Sequence, residues 1–189
     1  MKGLFSVALE IQEFFEHAGD RFCFIGGVAL QRWGQPRLTQ DVDLTFLCAP
    51  GEEAAAIDRL LLKFAGRLSD SRAFALRNRV LLLRSESRVA IDVSLGSIPF
   101  EHRCVGRASE FDFGAGFRLL TCSADDLIVL KAFASRPQDW IDIEAIVVRQ
   151  HRTLDWKQVF DELEPLVALR EMPETLDRLQ KVRSGSESR

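Results

Sequence analysis

The sequence predicts an α+β fold in which a small mixed β-sheet with flanking helices precedes a helical C-terminal half. Short apolar runs bounded by glycines or polar turns occur as far as Thr121 and are typical of buried strands. Longer segments with apolar residues at helical spacing separate these runs, and from Ser123 onward only helical patterns remain. A length of 189 residues suits one sizeable domain, or one domain with a helical appendage.

Helices and strands alternate in the first part of the chain. The first helix carries glutamates opposite its apolar stripe, and turn residues at Gly34, Pro36 and Pro50-Gly51 end later elements. The predicted elements are a helix from Leu4 to His17, a strand from Phe22 to Ile25, a helix that Gly26-Gly27 leads into and that ends near Trp33, a strand from Asp41 to Leu47 and a helix from Glu52 to Leu68.

A β-hairpin is predicted in the middle of the chain. Its strands run from Phe74 to Leu83 and from Val89 to Leu95, joined by the polar turn Arg84–Arg88. Arg77 and Arg79 would share one face of the first strand. They would serve there either as an ordinary solvated face or as contacts for an RNA backbone or an acidic partner.

Helix start and stop signals organise the remainder of the chain. Ser123 and Asp126 form a capping box ahead of an apolar run, and Pro137 suits the first turn of the next helix. The predicted elements are an irregular segment over 99–116, a strand over Phe117–Thr121, and helices from Ser123, from Pro137 to Arg149, from Leu154 to Glu164 before Pro165, and from Glu174 to Lys181. The predicted domains are a core at 1–121, a helical subdomain packed on it at 122–182, and a flexible tail at 183–189.

Composition excludes several classes of protein. The net charge of −3 gives no global basic field for nucleic acid, although the basic residues comprise 20 Arg and only 5 Lys. No apolar run approaches the ~20 residues of a membrane span, and glutamates interrupt the N-terminal segment, so neither a membrane span nor a signal peptide is expected. The four cysteines are widely spaced, which predicts buried reduced thiols rather than a zinc site. The expected location is the cytoplasm.

Three aspartates are the candidate catalytic residues. Asp41 and Asp43 lie two residues apart on a predicted strand, so they share a face about 7 Å apart. Asp92 interrupts another buried-strand sequence and needs a partner or a metal ion there. Like charges at this spacing repel each other unless a cation sits between them. Carboxylates are the ligands that Mg²⁺ prefers, and a two-metal site supports phosphoryl transfer.

Each piece also has an ordinary structural explanation. An Asp-x-Asp sequence is common in exposed loops, and a diglycine such as Gly26-Gly27 is often simply a turn. Asp92 by itself is compatible with a charged residue on an edge strand. The combination is more specific than its parts. A diglycine lies at a strand–helix junction, two aspartates follow on the next strand, and a third aspartate lies on a later strand. Backbone N–H groups at such a helix start bind phosphate.

Two stretches together resemble the signature of the DNA polymerase beta-like nucleotidyltransferase superfamily. They are Gly26–Leu30, which reads GGVAL, and Arg37–Leu44, which reads RLTQDVDL. More narrowly, they resemble the AbiEii-type nucleotidyltransferases, which are toxins of type IV toxin–antitoxin pairs. The superfamily usually has Gly-Ser where this chain has Gly26-Gly27, a departure that the AbiEii-like branch shares.

A downstream stretch extends the resemblance. Residues Asp126–Asp142 match the family form D-L-x-x-x-K-x-x-A-x-R-x-x-D-x-x-D. Lys131 is the only charged residue in an apolar helical run and needs an anion. That anion is either a triphosphate or a carboxylate such as Asp139 or Asp142, which share a helix face.

The resemblance implies a nucleotidyltransferase core that moves a nucleoside monophosphate from an NTP to an acceptor hydroxyl. Asp41, Asp43 and Asp92 would hold Mg²⁺ or Mn²⁺, with Asp92 also helping to activate the hydroxyl. Lys131 would neutralise charge on the leaving group. The other expected nucleotide-binding residues, beside Lys131, are Gly26, Gly27, Arg37, Thr39 and Asp139.

The acceptor stays open at this level. By resemblance it is a tRNA 3′ end, a protein hydroxyl or a small molecule such as an aminoglycoside, and a cognate antitoxin protein is a further expected partner. The alternative function is a non-catalytic module that binds nucleotide or a partner on a degenerate nucleotidyltransferase fold.

Overall fold

A computed structural model describes residues 2–187 and shows the α+β class that the sequence predicts. Within these residues the chain forms nine helices and seven strands. In chain order they are α1 (Lys2–His17), β1 (Phe22–Phe24), α2 (Gly26–Trp33), β2 (Asp41–Leu47), α3 (Glu53–Lys63), β3 (Ala65–Gly66), α4 (Ser71–Asn78), β4 (Val80–Arg84), β5 (Ala90–Gly96), α5 (Pro99–Gly106), β6 (Ser109–Asp112), β7 (Arg118–Thr121), α6 (Ala124–Ala134), α7 (Pro137–Gln150), α8 (Trp156–Leu169) and α9 (Glu174–Glu187).

All seven strands join one mixed sheet in the order β3-β4-β5-β2-β1-β7-β6. The pairs β2–β5 and β1–β7 are parallel, and the other neighbouring strands are antiparallel. Side chains alternate along β2 and β5, so Val42, Leu44, Ile91 and Val93 are fully buried on one face. The opposite face of these two strands is half-open and carries the polar residues.

An aromatic cluster fixes α1 against the buried face of the sheet. The ring of Phe15 stacks on Phe22 of β1 and on Phe46 of β2, with ring centroids 5.2 and 4.9 Å apart. Phe15 has no solvent-exposed surface. The apolar stripe that predicts α1 is therefore the surface that covers the core.

The chain separates into two compact units. The first contains the chain up to Val28 and Leu38–Cys122, and with them the whole sheet. The second contains Ala29–Arg37 and the chain from Ser123 onward, including α6 to α9. The predicted domain division between residues 121 and 122 stays a prediction, and the second compact unit also includes Ala29–Arg37.

The helix α4 corrects the predicted hairpin. Residues 71–78 are helical, capped by Asp70, whose Oδ1 accepts a hydrogen bond of 3.2 Å from the N–H of Ala73. Arg79 ends this helix in the left-handed conformation, at φ 54°, instead of lying on a strand. Its guanidinium donates to the carbonyls of Leu95 and Cys48, at 2.9 and 3.1 Å. Arg77 and Arg79 therefore do not share a strand face.

Three other predicted boundaries are wrong. The segment predicted to be irregular, 99–116, forms α5 and β6, with Pro99 in the first turn of α5. The helix α3 ends at Lys63 and not at Leu68, since β3 follows it directly. The helix α8 continues through Pro165, because Leu166 and Val167 beyond it are buried and hold the last turn in place.

The helix α9 also extends beyond its predicted end at Lys181 and reaches Glu187. Flexibility of 183–189 stays a prediction, and Ser188 and Arg189 lie outside the described residues. The four cysteines are buried thiols, as predicted. None of the helices in the described part of the chain combines the length and apolarity needed to cross a bilayer.

Replacing Phe15 by Ala tests the aromatic cluster. The variant removes a fully buried ring between two others, so the free energy of unfolding should fall by about 3–5 kcal/mol. The control is Leu62→Ala on α3, where the side chain is 89% exposed, and its effect should stay within about 0.5 kcal/mol. Urea denaturation followed by circular dichroism measures both. Equal effects for the two variants would show that the cluster does not hold α1.

Candidate active site

The three predicted catalytic aspartates lie on neighbouring parallel strands. In the β2–β5 register Asp43 is directly opposite Asp92, and Asp41 is opposite Ala90. Asp41 and Asp43 are two residues apart, so all three carboxylates project from the half-open face of the sheet. Neighbouring strands lie about 4.8 Å apart, so Asp43 and Asp92 are adjacent across the sheet. The fold thus brings together the triad that the sequence predicts.

Both glycines of the predicted diglycine turn lie against this acidic face. A Cβ atom added to Gly26, whose φ is +53°, would lie 2.2 Å from Oδ2 of Asp43. A Cβ added to Gly27 would lie 2.2 Å from Oγ1 of Thr39. The N–H of Ile25 also donates to the Asp43 carbonyl at 2.9 Å. Only glycine permits the start of α2 to approach β2 this closely.

Thr39, one of the predicted nucleotide-binding residues, supports Asp41 in the structure. Its hydroxyl donates a 3.0 Å hydrogen bond to Oδ1 of Asp41. Thr39 is itself buried, so the bond restricts the carboxylate of Asp41 to one orientation. Thr39 therefore positions a predicted metal ligand.

The sequence did not reveal Arg67, which pairs with Asp92. The guanidinium Nη2 of Arg67 forms an ion pair with Oδ1 of Asp92. As the side chains stand, no three Asp, Glu, His or Cys side chains within residues 2–187 are grouped so that they could hold a metal ion. The only signal in the sequence was Asp92 itself, because a lone aspartate on a buried strand predicts either a side-chain partner or a metal ion.

The donor set nevertheless fits a divalent cation. Three carboxylates from two adjacent strands supply the hard oxygen ligands of Mg²⁺ or Mn²⁺. The close approach of Gly26 to Asp43 leaves the backbone at the start of α2 beside these oxygens. The assignment of Asp41, Asp43 and Asp92 as metal ligands stays a prediction.

A second set of predicted residues forms an ion network within the second compact unit. The ammonium of Lys131 is nearly buried and donates to Oδ2 of Asp142 at 2.6 Å and to Oδ1 of Asp139 at 3.3 Å. Arg37 holds Asp142 with two parallel hydrogen bonds, both of 3.0 Å. Two cations thus face two carboxylates. The carboxylate partners that were one alternative for Lys131 are both present.

The pKa of Asp142 reports the strength of this network. Burial acts to raise the pKa of its carboxyl group, since only 3% of the side chain is exposed. Hydrogen bonds from Arg37, Lys131 and Gln138 outweigh burial and lower that pKa below its ordinary value of 3.8. Asp142 is therefore ionised at neutral pH and anchors both cations.

A cleft of about 880 Å³ also lies within the second unit. It is bordered by α7, α9 and the chain after α2, with apolar side chains such as Ile141, Val148 and Val182 and with basic side chains such as Arg178 and Lys181. None of the predicted site residues lines it.

A mixed sheet with adjacent carboxylates beside a diglycine helix start defines a nucleotidyltransferase-like fold. A profile of the family described as "Nucleotidyl transferase AbiEii toxin, Type IV TA system" matches residues 11–183. The chain belongs to this AbiEii nucleotidyltransferase family, which confirms the resemblance seen in the sequence. A search of curated proteins returns no match.

Solved structures support the fold. An antigenic nucleotidyltransferase-like protein from Paracoccidioides brasiliensis is 16% identical, with a TM-score of 0.53 over 93% of this chain and 91% of that one. The lincosamide antibiotic adenylyltransferase LnuA, bound to lincomycin, is 15% identical, with a TM-score of 0.50 over 73% of this chain and 92% of its own. The antibiotic-resistance factor ANT(2'')-Ia is 18% identical, with a TM-score of 0.50 over 94% and 96% of the two chains.

Replacing Gly26 by Ala tests the close approach at the site. The new Cβ would collide with the carboxylate of Asp43, so metal-dependent nucleotide binding should weaken at least about tenfold. Gly19→Ala is the matched control, because Gly19 also has a positive φ, of +70°, but open space around it. Isothermal titration calorimetry with a non-hydrolysable NTP measures both. Equal losses would mean that backbone strain, and not the contact with Asp43, is responsible.

The lowered pKa of Asp142 predicts a pH-dependent contribution to stability. Asp142→Asn should cost about 3 kcal/mol at pH 7, because it removes the nearer of the two carboxylates that pair with the buried ammonium of Lys131 and the carboxylate that Arg37 holds. That cost should be fully present above the ordinary carboxyl pKa of 3.8 and should disappear as pH falls through the lowered pKa. Urea denaturation at pH 7, 4.5 and 3 measures it. The control is Asp161→Asn, which breaks an exposed pair with Lys157 and should cost less than about 0.5 kcal/mol at every pH.

Proposed function

We propose that this AbiEii-family protein transfers a nucleoside monophosphate from an NTP to an acceptor hydroxyl and releases pyrophosphate. The observation that carries the proposal is the register of β2 and β5, which sets Asp43 opposite Asp92 with Asp41 on the same face. Membership of a nucleotidyltransferase family agrees with this chemistry.

In the proposed reaction the acceptor oxygen attacks the α-phosphorus of the NTP. A new P–O bond forms as the bond between the α-phosphorus and the bridging oxygen breaks, and pyrophosphate departs. Asp92 accepts the proton of the acceptor hydroxyl on a carboxylate oxygen. Asp41, Asp43 and Asp92 would hold Mg²⁺ or Mn²⁺, which when bound would supply positive charge against the phosphates and carboxylates.

The start of α2 is the proposed phosphate-binding element. The backbone N–H groups of Gly26 and Gly27 carry the positive end of the helix dipole, and neither residue has a side chain to keep phosphate away. Thr39 acts indirectly, through its hydrogen bond to Asp41.

The proposal also includes Lys131, Arg37 and Asp139, but only the family resemblance supports their roles. The ion network explains why Lys131 is buried, since Asp139 and Asp142 accept its hydrogen bonds. Neutralisation of the leaving pyrophosphate by Lys131 remains a prediction of the family resemblance. So does nucleotide binding by Arg37 and Asp139.

For the acceptor we propose a tRNA 3′ end first, because the family match is to a toxin of type IV toxin–antitoxin systems. A protein hydroxyl and a small molecule are the other candidates. One solved structure with this fold binds lincomycin, but at 15% identity the likeness supports the fold alone. A cognate antitoxin protein is the proposed biological partner.

One observation favours a second candidate function. The ion pair between Arg67 and Asp92 gives the third carboxylate a protein partner in place of a metal ion. A non-catalytic nucleotide-binding module would retain such a pair permanently. Transfer activity separates the two functions.

The deciding experiment incubates the protein with each α-³²P-labelled NTP, Mg²⁺ or Mn²⁺, and either pooled tRNA, cell lysate protein or aminoglycosides. Label should pass to one acceptor class, and Asp43→Ala should reduce the rate at least about 10³-fold. Asp58→Ala is the control, because that aspartate pairs only at the surface with Arg72 in the same unit. Absence of transfer in every mixture, or transfer that survives Asp43→Ala, would refute the catalytic function.

A further inference from the structure

A row of side chains crosses the half-open face of the sheet and ends at Arg67. Asp43 of β2 is opposite Asp92 of β5, and Asp92 is in turn opposite Leu82 of β4. The N–H of Arg67 donates a 2.9 Å hydrogen bond to the carbonyl of Leu82. The backbone thus sets Arg67 two strands from Asp92, with β4 between them, and its guanidinium spans that distance to the carboxylate.

The segment that carries Arg67 is held in place by its neighbours. Gly66 pairs with Leu83 at the edge of the sheet. Ser71 accepts a hydrogen bond from the N–H of Leu68 at 3.0 Å and donates to its carbonyl at 2.9 Å. Arg67 therefore extends from an ordered turn, and its position beside Asp92 follows from the register of three strands.

The hydrogen bonding of Arg67 is incomplete. Its Nε is buried and has no hydrogen-bond partner in the described part of the chain. Pairs between arginine and a carboxylate are frequently bidentate, as the pair between Arg37 and Asp142 is. An unsatisfied buried donor costs free energy, so the pair with Asp92 is weaker than a complete one.

We propose that Arg67 is the resident counter-cation of the acidic site and that a divalent metal ion must displace it from Asp92. Its charge offsets that of Asp92, the carboxylate directly opposite Asp43, when metal is absent. Asp92 cannot bind a metal ion fully while it holds the guanidinium, so the two cations compete. Arg67 is then a positioning residue that sets the metal affinity, an inference that rests on the proposed metal site.

Mn²⁺ binding to the full chain, measured by electron paramagnetic resonance of the free ion, tests the competition. Arg67→Ala should bind Mn²⁺ about fivefold more tightly than wild type, because the competitor is gone. In EDTA the same variant should have a lower thermal midpoint than wild type, because the carboxylates have lost their counter-ion. A purely structural Arg67 would lower both the stability and the metal affinity.

Three further variants sharpen the result. Arg72→Ala is the matched control: Arg72 pairs with Asp58 in the same unit through hydrogen bonds of 2.6 and 3.1 Å, and Mn²⁺ affinity should not change. Arg67→Lys keeps the charge but not the planar fork, and should tighten Mn²⁺ binding about twofold. In Asp92→Asn, the additional change Arg67→Ala should produce no gain.

The outcomes separate this inference from the proposed function. Unchanged or weaker Mn²⁺ binding in both Arg67 variants, with wild type binding normally, would overturn the role of Arg67 alone. A gain that persists in Asp92→Asn would also overturn it, since the competition would not involve Asp92. Wild type that binds no Mn²⁺ at millimolar concentration would overturn the metal site together with this inference. Nucleotidyl transfer is measured separately, so its failure is visible by itself.

Discussion

The arrangement of the first compact unit depends on the apolar packing of β2 and β5, which holds two like charges opposite each other on these parallel strands. Asp43 and Asp92 are opposed in register, while their neighbours Val42, Leu44, Ile91 and Val93 are fully buried on the other face. The apolar face fixes the register, because a slip by one residue would turn these buried side chains outward. The carboxylates therefore cannot move apart by shifting a strand. They require a nearby cation, and for Asp92 the fold supplies the guanidinium of Arg67.

In the second compact unit, by contrast, two cations meet at one carboxylate. There the two cations Arg37 and Lys131 converge on Asp142, and the partners satisfy one another with hydrogen bonds of ordinary length. This network is complete within the protein, whereas the pair between Arg67 and Asp92 leaves a buried donor without a partner. The contrast is between a network whose hydrogen bonds are made within the protein and an ion pair whose hydrogen bonding is incomplete.

Local sequence signals were sufficient to predict element bounds where the residue types at a position determine the backbone conformation. The bounds of β2 and the start of α2 followed from alternation and from the diglycine, and the capping by Ser123 placed α6. Local signals do not determine that Asp43 lies opposite Asp92, because strand order depends on contacts far apart in the chain. Arg67 was missed for the same reason. The helix α4 was missed because Phe74–Leu76 is a continuous apolar run, which reads as a strand although Asp70 caps a helix.

The two outermost strands of the sheet have a consequence for the behaviour of the protein in concentrated solution. The edge strand β3 has only two residues, and β6 at the other edge has four, with Glu110 and Asp112 among them. A short strand offers few unpaired backbone groups, and negative charge repels an identical edge from another copy. The long apolar strands β2 and β5 lie in the interior of the sheet, where no second chain can extend them. The sheet is thus protected against edge-to-edge aggregation.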